Sequence, residues 1–244
     1  TPSSGPVAPL NLLGDFAGGG AFLALGVLAA IIEARTSGRG QIVDAAMVDG
    51  ASSLASMIWG MRSGGWWPGG RGENMLDGGA HFYGVFECAD GKWITLGSIE
   101  PPFYAALLRE LELDPTPFAA QMDARLWPQL RTAVAAAVRR RTRDQWSARL
   151  EGGDVCFAPV LDFDEARRHP HNVARDAFIE RDGLVHPAPA PRFSRTPSAL
   201  APAIGAPGSD GVAVLRELGI DTARIDALAA AGAIRIPPEE KRHA

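Results

Sequence analysis

From Gly18 to Arg35 the chain reads "GGGAFLALGVLAAIIEAR", three glycines and then a run that is apolar nearly all round. That pattern predicts a helix over residues 19–35, stopped by "SGRG". With no polar face, it predicts a helix buried among other elements rather than one lying on the surface. The residues that follow, "QIVDAAM", read as a strand, and "VDGASSLASMIWGMRSGG" as a second helix spaced by Leu54, Ile58 and Met61. Helix, strand and helix in that order make half of an α/β unit.

The glycine-rich, tryptophan-bearing stretch from Gly64 to Gly84 is long for a loop and predicts a connector between lobes or a site lining. "FYGVFECADGKWITLGSI" predicts a hairpin, with a turn that accepts positive φ. "EPPFYAALLREL" starts a helix with prolines in its first turn. "WPQLRTAVAAAVRRRT" and "TRDQWSARLEGG" read as helices, "VCFAPVLDF" as a strand and "DEARRHPHNVARD" as a short helix broken at Pro170. A second hairpin, "AFIERDGLVHP", precedes a Pro-rich extended crossing, and two helices joined at Gly219 follow. The expected organisation is an α/β large domain, to which residues 1–71 and the return segment 177–244 contribute, and a smaller α+β domain over residues 72–176.

Composition narrows the function class. Of the 244 residues 46% are apolar and 21% charged, and the formal net charge of -4 offers no general attraction to nucleic acid or to an anionic membrane. The longest apolar run, Ala21 to Ile32, falls short of the roughly 20 residues a bilayer span needs. Two cysteines, Cys88 and Cys156, suit a reducing compartment, so the expected location is cytoplasmic. The opening "TPSSGPVAPLN" has no initiator Met and reads as a piece of something longer.

Two acids stand out. Asp15 lies just ahead of the glycines, either as a helix-start acid favoured by the dipole or as a reacting carboxylate beside unpaired N–H groups that could hold an oxyanion. The glycines match neither phosphate-loop pattern. Glu100 ends the strand "WITLGSIE", either as a second helix-start acid or as a site residue. His81, His169, His171, His186 and His243 lie apart, without metal-ligand spacing, so no metal is expected. No G-x-S-x-G elbow is present, and neither cysteine has a convincing basic neighbour. Met47, Met57 and Met61 read as a core stripe or an adaptable apolar surface. "RRRTR" reads as a solvated helix end or, more sharply, as a CoA-phosphate contact.

Together, "APLNLLGDFAGGG", "GQIVDAAMVDG", "RGENMLDGGAHFYGVFECADGKWITLGSIEPPFYAALLREL" and "PAPRFSRTP" resemble the α-methylacyl-CoA racemases of the family III CoA-transferase superfamily. The resemblance spans nearly the whole chain in order and spacing. It implies a Rossmann-like large domain, incomplete here at its N-terminal side, and an interlocked homodimer with sites between the large domain of one protomer and the small domain of its partner. It implies an acyl-CoA substrate, no separate cofactor, and neither a nucleic-acid nor a membrane partner. Asp15 matches the catalytic aspartate and Glu100 a glutamate that supports the catalytic histidine. Asn11, Gly14 and Phe16 flank the aspartate. Tyr83 and Ile99 match positions near the thioester, and Met47 the methionine-rich acyl surface. The histidine itself, in a "GHDINY"-like motif, and most arginines that hold CoA belong ahead of Thr1 in this resemblance.

The expected reaction is racemisation of 2-methylacyl-CoA thioesters by 1,1-proton transfer through an enolate. To act as an acid, Asp15 needs apolar surroundings, which Leu12, Leu13 and Phe16 could supply, and the enolate oxygen needs a donor such as the N–H of Asp15 or a neighbour. Two alternatives stand beside it. One is a family III CoA-transferase in which Asp15 forms an acyl anhydride; the other is an inactive fragment without the catalytic histidine. The stretch "GSIEPPFYAALL", with an acid and two prolines where the transferases use a glycine-rich loop, favours the racemase.

Overall fold

The computed structural model describes residues 5–200 and 208–236. The chain divides into two compact units, Thr1–Leu161 and Asp162–Ala244. It opens in a π-helical segment, Leu12–Ala21, that runs straight into helix α1, Phe22–Ser37. The helix therefore starts at Leu12 rather than Gly19, and Asp15 lies inside its first turn. Gly38, in the left-handed region at φ 73°, closes α1 through its N–H to the Ala34 carbonyl.

Helices α2 (Met47–Leu54) and α3 (Ser56–Ser63) follow, interrupted at Ala55, whose ψ of 6° departs from helical values. The stretch before them, residues 41–46, has the composition of a strand but joins no sheet among the described residues. Ile42 and Val43 favour extended backbone, but a strand needs a partner, and Ile42 is 96% exposed.

The glycine run serves a close helix crossing. A Cβ at Gly50 of α2 would fall 1.9 Å from the Gly18 carbonyl oxygen, and one at Gly18 would fall 2.9 Å from the Ala51 nitrogen. The π segment and α2 thus touch backbone to backbone, with the Met47 side chain against Gly19. The space that Gly18 and Gly19 leave without side chains is filled by the chain's own second helix.

Helix α1 departs further from expectation. No residue of it is buried; Leu25, Leu28 and Ile32 stand largely exposed. Val43 covers it at one point, where a Cβ on Gly26 would lie 2.8 Å from the valine side chain. With the π segment it forms a 26-residue apolar helix of mean hydropathy 1.9, long enough by length and composition to cross a membrane. The shorter run Ala21 to Ile32 leaves out the apolar turns that Leu12, Leu13 and Phe16 add.

The remainder of the first unit holds its core. Strands β1 (Tyr83–Glu87) and β2 (Trp93–Gly97) pair antiparallel, Tyr83 opposite Gly97, and β2 pairs antiparallel with β3 (Phe157–Pro159). Gly91, at φ 74°, makes the hairpin turn as its sequence requires. Helices α4 (Pro101–Glu110), α5 (Trp127–Val138) and α6 (Arg143–Leu150) pack Leu107, Val134, Val138 and Trp146 against Phe82, Phe86 and Ile94. Each such side chain contributes roughly 1.5–3 kcal/mol when fully removed from water. Trp146 also donates its indole N–H to the Val138 carbonyl at 2.7 Å. Thr142 starts α6 with a reciprocal capping box to Gln145.

"RRRTR" is neither a bare solvated end nor a free phosphate contact. Arg139 pairs with Glu87, Arg141 pairs with Glu112 at 2.9 Å, and Arg140 donates to the Leu111 carbonyl. Arg143 is buried and donates to the Val160 carbonyl at 3.0 Å. These arginines tie the α5–α6 junction to its neighbours.

The second unit holds α7 (Phe163–Arg168), α8 (Pro170–Ala174), the hairpin β4 (Phe178–Arg181) with β5 (Leu184–Pro187), and helices α9 (Gly211–Glu217) and α10 (Thr222–Ala230). Residues 188–200 of the Pro-rich crossing form no helix or strand, and its next residues, 201–207, lie outside the described residues. Arg192 of that crossing donates to the Asp176 carbonyl at 2.9 Å. The whole is a mixed α/β chain.

Candidate active site

The expected site residues fall into two groups. Asn11, Gly14, Asp15 and Phe16 lie at the start of the π segment, and Met47 sits beside it at the start of α2. The Phe16 N–H donates to the Asn11 carbonyl at 3.1 Å, a five-residue step that opens the wide π turn. Phe16 is therefore spent as an oxyanion donor. The amides from Leu12 to Asp15 precede that first rung and keep the role open. The Asp15 side chain is exposed and makes no hydrogen bond or ion pair among the described residues.

The apolar shell expected around Asp15 is not closed. Leu12, Leu13 and Phe16 are 58%, 47% and 59% exposed, and Met47 is 53% exposed. Their side chains point outward because the inner side of the π segment is taken up by the glycine crossing with α2. Asp15 thus stands on an exposed apolar surface.

The second group lies on the hairpin. Tyr83 opens β1, and its ring comes within 3.7 Å of the position a Cβ would take at Gly97. Ile99 accepts from the Gln121 side-chain amide at 2.9 Å, which pins the turn out of β2. Glu100 is the N-cap of α4, but its side chain makes no capping bond and stays exposed. No hydrogen bond or ion pair among the described residues joins Asp15 to Glu100.

A groove of about 1180 Å³ adjoins Tyr83, bounded by the glycine-rich loop, the outer face of the hairpin and the start of α5. Trp93, Trp127, Arg131 and Cys156 line it; sequence reasoning weighed Cys156 only as a nucleophile and set it aside, and singled out none of the other three as site residues. Gly84, an isolated glycine inside a strand, was the available signal for a close approach there. The loop side is rigid: the buried Asn74 donates to the Gly70 carbonyl at 2.8 Å and to Asp77 at 2.9 Å. Burial raises the Cys156 thiol, with the charges of Glu100 and Asp154 adding to the shift. Cys88 is pushed up to about 11, chiefly by burial. Neither thiol is primed as a nucleophile, in keeping with the sequence reading.

Behind the hairpin, His81 is fully buried with its Nε2 2.6 Å from the Tyr104 hydroxyl. That hydroxyl donates to the Phe118 carbonyl at 3.1 Å, so it accepts from His81 Nε2–H. Nδ1 is left as a buried acceptor without a hydrogen-bond partner among the described residues. Burial, with Arg131 adding, lowers the His81 pKa to about 4 from 6.5. The unfolded chain therefore binds the proton first as pH falls. His81 costs nothing above pH 6.5, and folding weakens between pH 6.5 and pH 4 by up to about 3 kcal/mol. Urea unfolding of the protein and of His81→Gln, which keeps a donor to Tyr104 but does not titrate, measures this. The difference between the two should change across that window, and identical pH profiles would refute the assignment.

The CoA-transferase family III model matches residues 1–210. This chain belongs to that family. Within the family it is 42% identical over 225 residues to the mouse α-methylacyl-CoA racemase, covering 90% of this chain and 58% of that protein. To the human α-methylacyl-CoA racemase it is 42% identical over 196 residues, covering 79% of this chain and 51% of that one. The chain thus spans little more than half the length of these family III relatives. A CaiB/BaiF family protein from Brucella suis shares the fold, with a TM-score of 0.68 at 20% identity over 89% of this chain and 58% of that one.

Proposed function

We propose that this family III protein racemises 2-methylacyl-CoA thioesters by moving a proton on and off the carbon next to the thioester carbonyl. The observation that supports this most is the 42% identity to the mouse racemase over 90% of the chain. One group removes the α-proton to give an enolate, and a second returns a proton to the opposite face. Asp15 is one of the pair. The histidine that would be the other belongs to the part of the racemases ahead of Thr1, with Glu100 supporting it. An amide at the start of the π segment holds the enolate oxygen. Asn11, Gly14 and Phe16 shape the turn around Asp15, Tyr83 and Ile99 flank the thioester, and Met47 lies under the acyl chain. Side chains supply both acid and base, so the reaction calls for no cofactor beyond the CoA of the substrate.

The same reading brings a Rossmann-like large domain, a small domain over residues 72–176, and an interlocked homodimer whose sites form between protomers. Such a dimer would cover the exposed apolar helix and close the shell around Asp15. A bilayer is the poorer environment for that helix. The Gly18–Gly50 crossing locks it to α2, and entering lipid would drag Asp49, Ser52 and Ser53 with it. Cytoplasmic location accords with two free cysteines.

Incubating the full-length protein with a chiral 2-methylacyl-CoA and a free carboxylic acid separates the two enzymatic readings. Inversion at carbon 2 without CoA exchange is the expected result. CoA appearing on the added acid would establish the transferase instead.

A further inference from the structure

The groove beside Tyr83 holds a cation that forms no ion pair with a described carboxylate. Arg131 reaches from α5 to the edge of β1, where Nη1 donates to the Ala80 carbonyl at 2.9 Å and Nη2 to the Val85 carbonyl at 3.1 Å. Its guanidinium lies 4.4 Å from the centre of the Phe86 ring. It forms no ion pair among the described residues. Gly84 makes this position available: at φ 149° it carries no Cβ, and a Cβ there would lie 2.9 Å from Nη1. The two carbonyls leave the guanidinium with further N–H donors and its full charge. Burial lowers its affinity for the proton, as expected of a cation held without a counter-ion.

We propose that Arg131 binds a carboxylate carried by the acyl group of the substrate, so that the groove selects acyl thioesters of dicarboxylic acids. This rests on the thioester reading above, because Tyr83 and Arg131 line one groove. The rest of the lining suits an acyl chain: Trp93, Trp127, Leu76 and Val85 offer apolar and aromatic surface. The charge is suited to one negative group and not to several. Glu73 and Asp77 also line the groove, each held by loop amides at 2.7–2.9 Å, and they would repel the phosphates of CoA. A single carboxylate on Arg131 meets that repulsion least.

Calorimetry on the full-length protein with monomethyl suberate, methyl octanoate and 3′,5′-ADP tests this. The neutral ester of each acyl probe stands in for the thioester, so a terminal carboxylate in place of a methyl group is the difference between them. Monomethyl suberate should bind at least about tenfold more tightly than methyl octanoate. Arg131→Met should bring the two esters to within about twofold of each other. If melting shows that Arg131→Met does not fold, Arg131→Gln, which retains an amide donor for the β1 edge but no charge, gives the same reading. Equal binding of both esters by the parent protein, or a preference for monomethyl suberate that survives in the variant, would overturn the proposal. So would loss of 3′,5′-ADP binding in the variant with monomethyl suberate unaffected, since the anion would then be a CoA phosphate. In turnover, the ratio of kcat/KM for an ω-carboxylated over a methyl-terminated 2-methylacyl-CoA should fall about tenfold in the variant. If the carboxylate preference in binding holds and no thioester exchanges its α-proton, the anion site stands and the racemase reading falls.

Discussion

Asp15→Asn should slow α-proton exchange on a 2-methylacyl-CoA by roughly 10²–10⁴-fold in the full-length protein, the usual contribution of a positioned acid or base. The amide keeps the shape of the side chain and removes its capacity to give and take a proton. The loss should fall on kcat, with KM little changed, because the carboxyl group acts in the transition state more than in binding. Folding should not follow. The Asp15 side chain is exposed and makes no hydrogen bond or ion pair among the described residues, so the melting temperature should stay within about 2 °C of the parent. Asp49→Asn, on the adjoining helix α2, is the comparison. Parallel measurement of exchange and melting decides the matter, and an Asp15→Asn protein that exchanges at the parent rate would remove the residue from the chemistry.

The second large effect is on stability. Gly50→Ala places a methyl group 1.9 Å from the Gly18 carbonyl oxygen and 2.6 Å from its carbon. The obstacle is backbone, which cannot rotate away as a side chain would. The π segment and α2 must separate, at a cost of about 3 kcal/mol or more, the upper range for overpacking. Gly60→Ala in α3 is the matched control, since nothing lies within 4 Å of its new Cβ. It should be neutral or stabilising by roughly 0.5–1 kcal/mol, as alanine is in a helix interior. Because the crossing also fixes the turn that carries Asp15, Gly50→Ala should lose activity along with stability. Denaturant unfolding of the two variants tests this directly, and equal stability would mean that the helices are not held at this crossing.

The hairpin, α4 to α6 and the capped helices of the second unit are legible because their signals are local. Alternation gives β1 and β2, Gly91 the turn between them, Pro101 and Pro102 the first turn of α4, and the Thr142–Gln145 pair the start of α6. Where sequence reading failed, the deciding partner was distant. Residues 41–46 have strand composition, but strand formation depends on a neighbour that composition does not specify. An all-round apolar helix asks for burial, yet the residues that would bury α1 are not found around it in the described chain. The wide π turn rests on the Phe16–Asn11 bond and on the glycine contact with α2, neither of which has a periodic signature.

The candidate site divides in the same way. Asp15 and Glu100 stand out by their positions and take their roles from the family resemblance, and their surroundings could be read from neither. Leu12, Leu13 and Phe16 look like a shell in sequence and are outward-facing in space. Arg131 was absorbed into an apolar helix pattern, and only its reach across Gly84 to the β1 edge marks it as part of the groove. "RRRTR" carried the opposite lesson: a charge cluster that suggests a phosphate site is occupied by Glu87, Glu112 and main-chain carbonyls.

Proton transfer at the carbon beside the thioester carbonyl is most directly observed by deuterium. In D₂O the full-length protein, given either epimer of a 2-methylacyl-CoA, should yield both epimers with a single deuteron at carbon 2, read by NMR and mass spectrometry. Recovery of the starting epimer with its hydrogen intact, while CoA passes to another acid, would contradict the account.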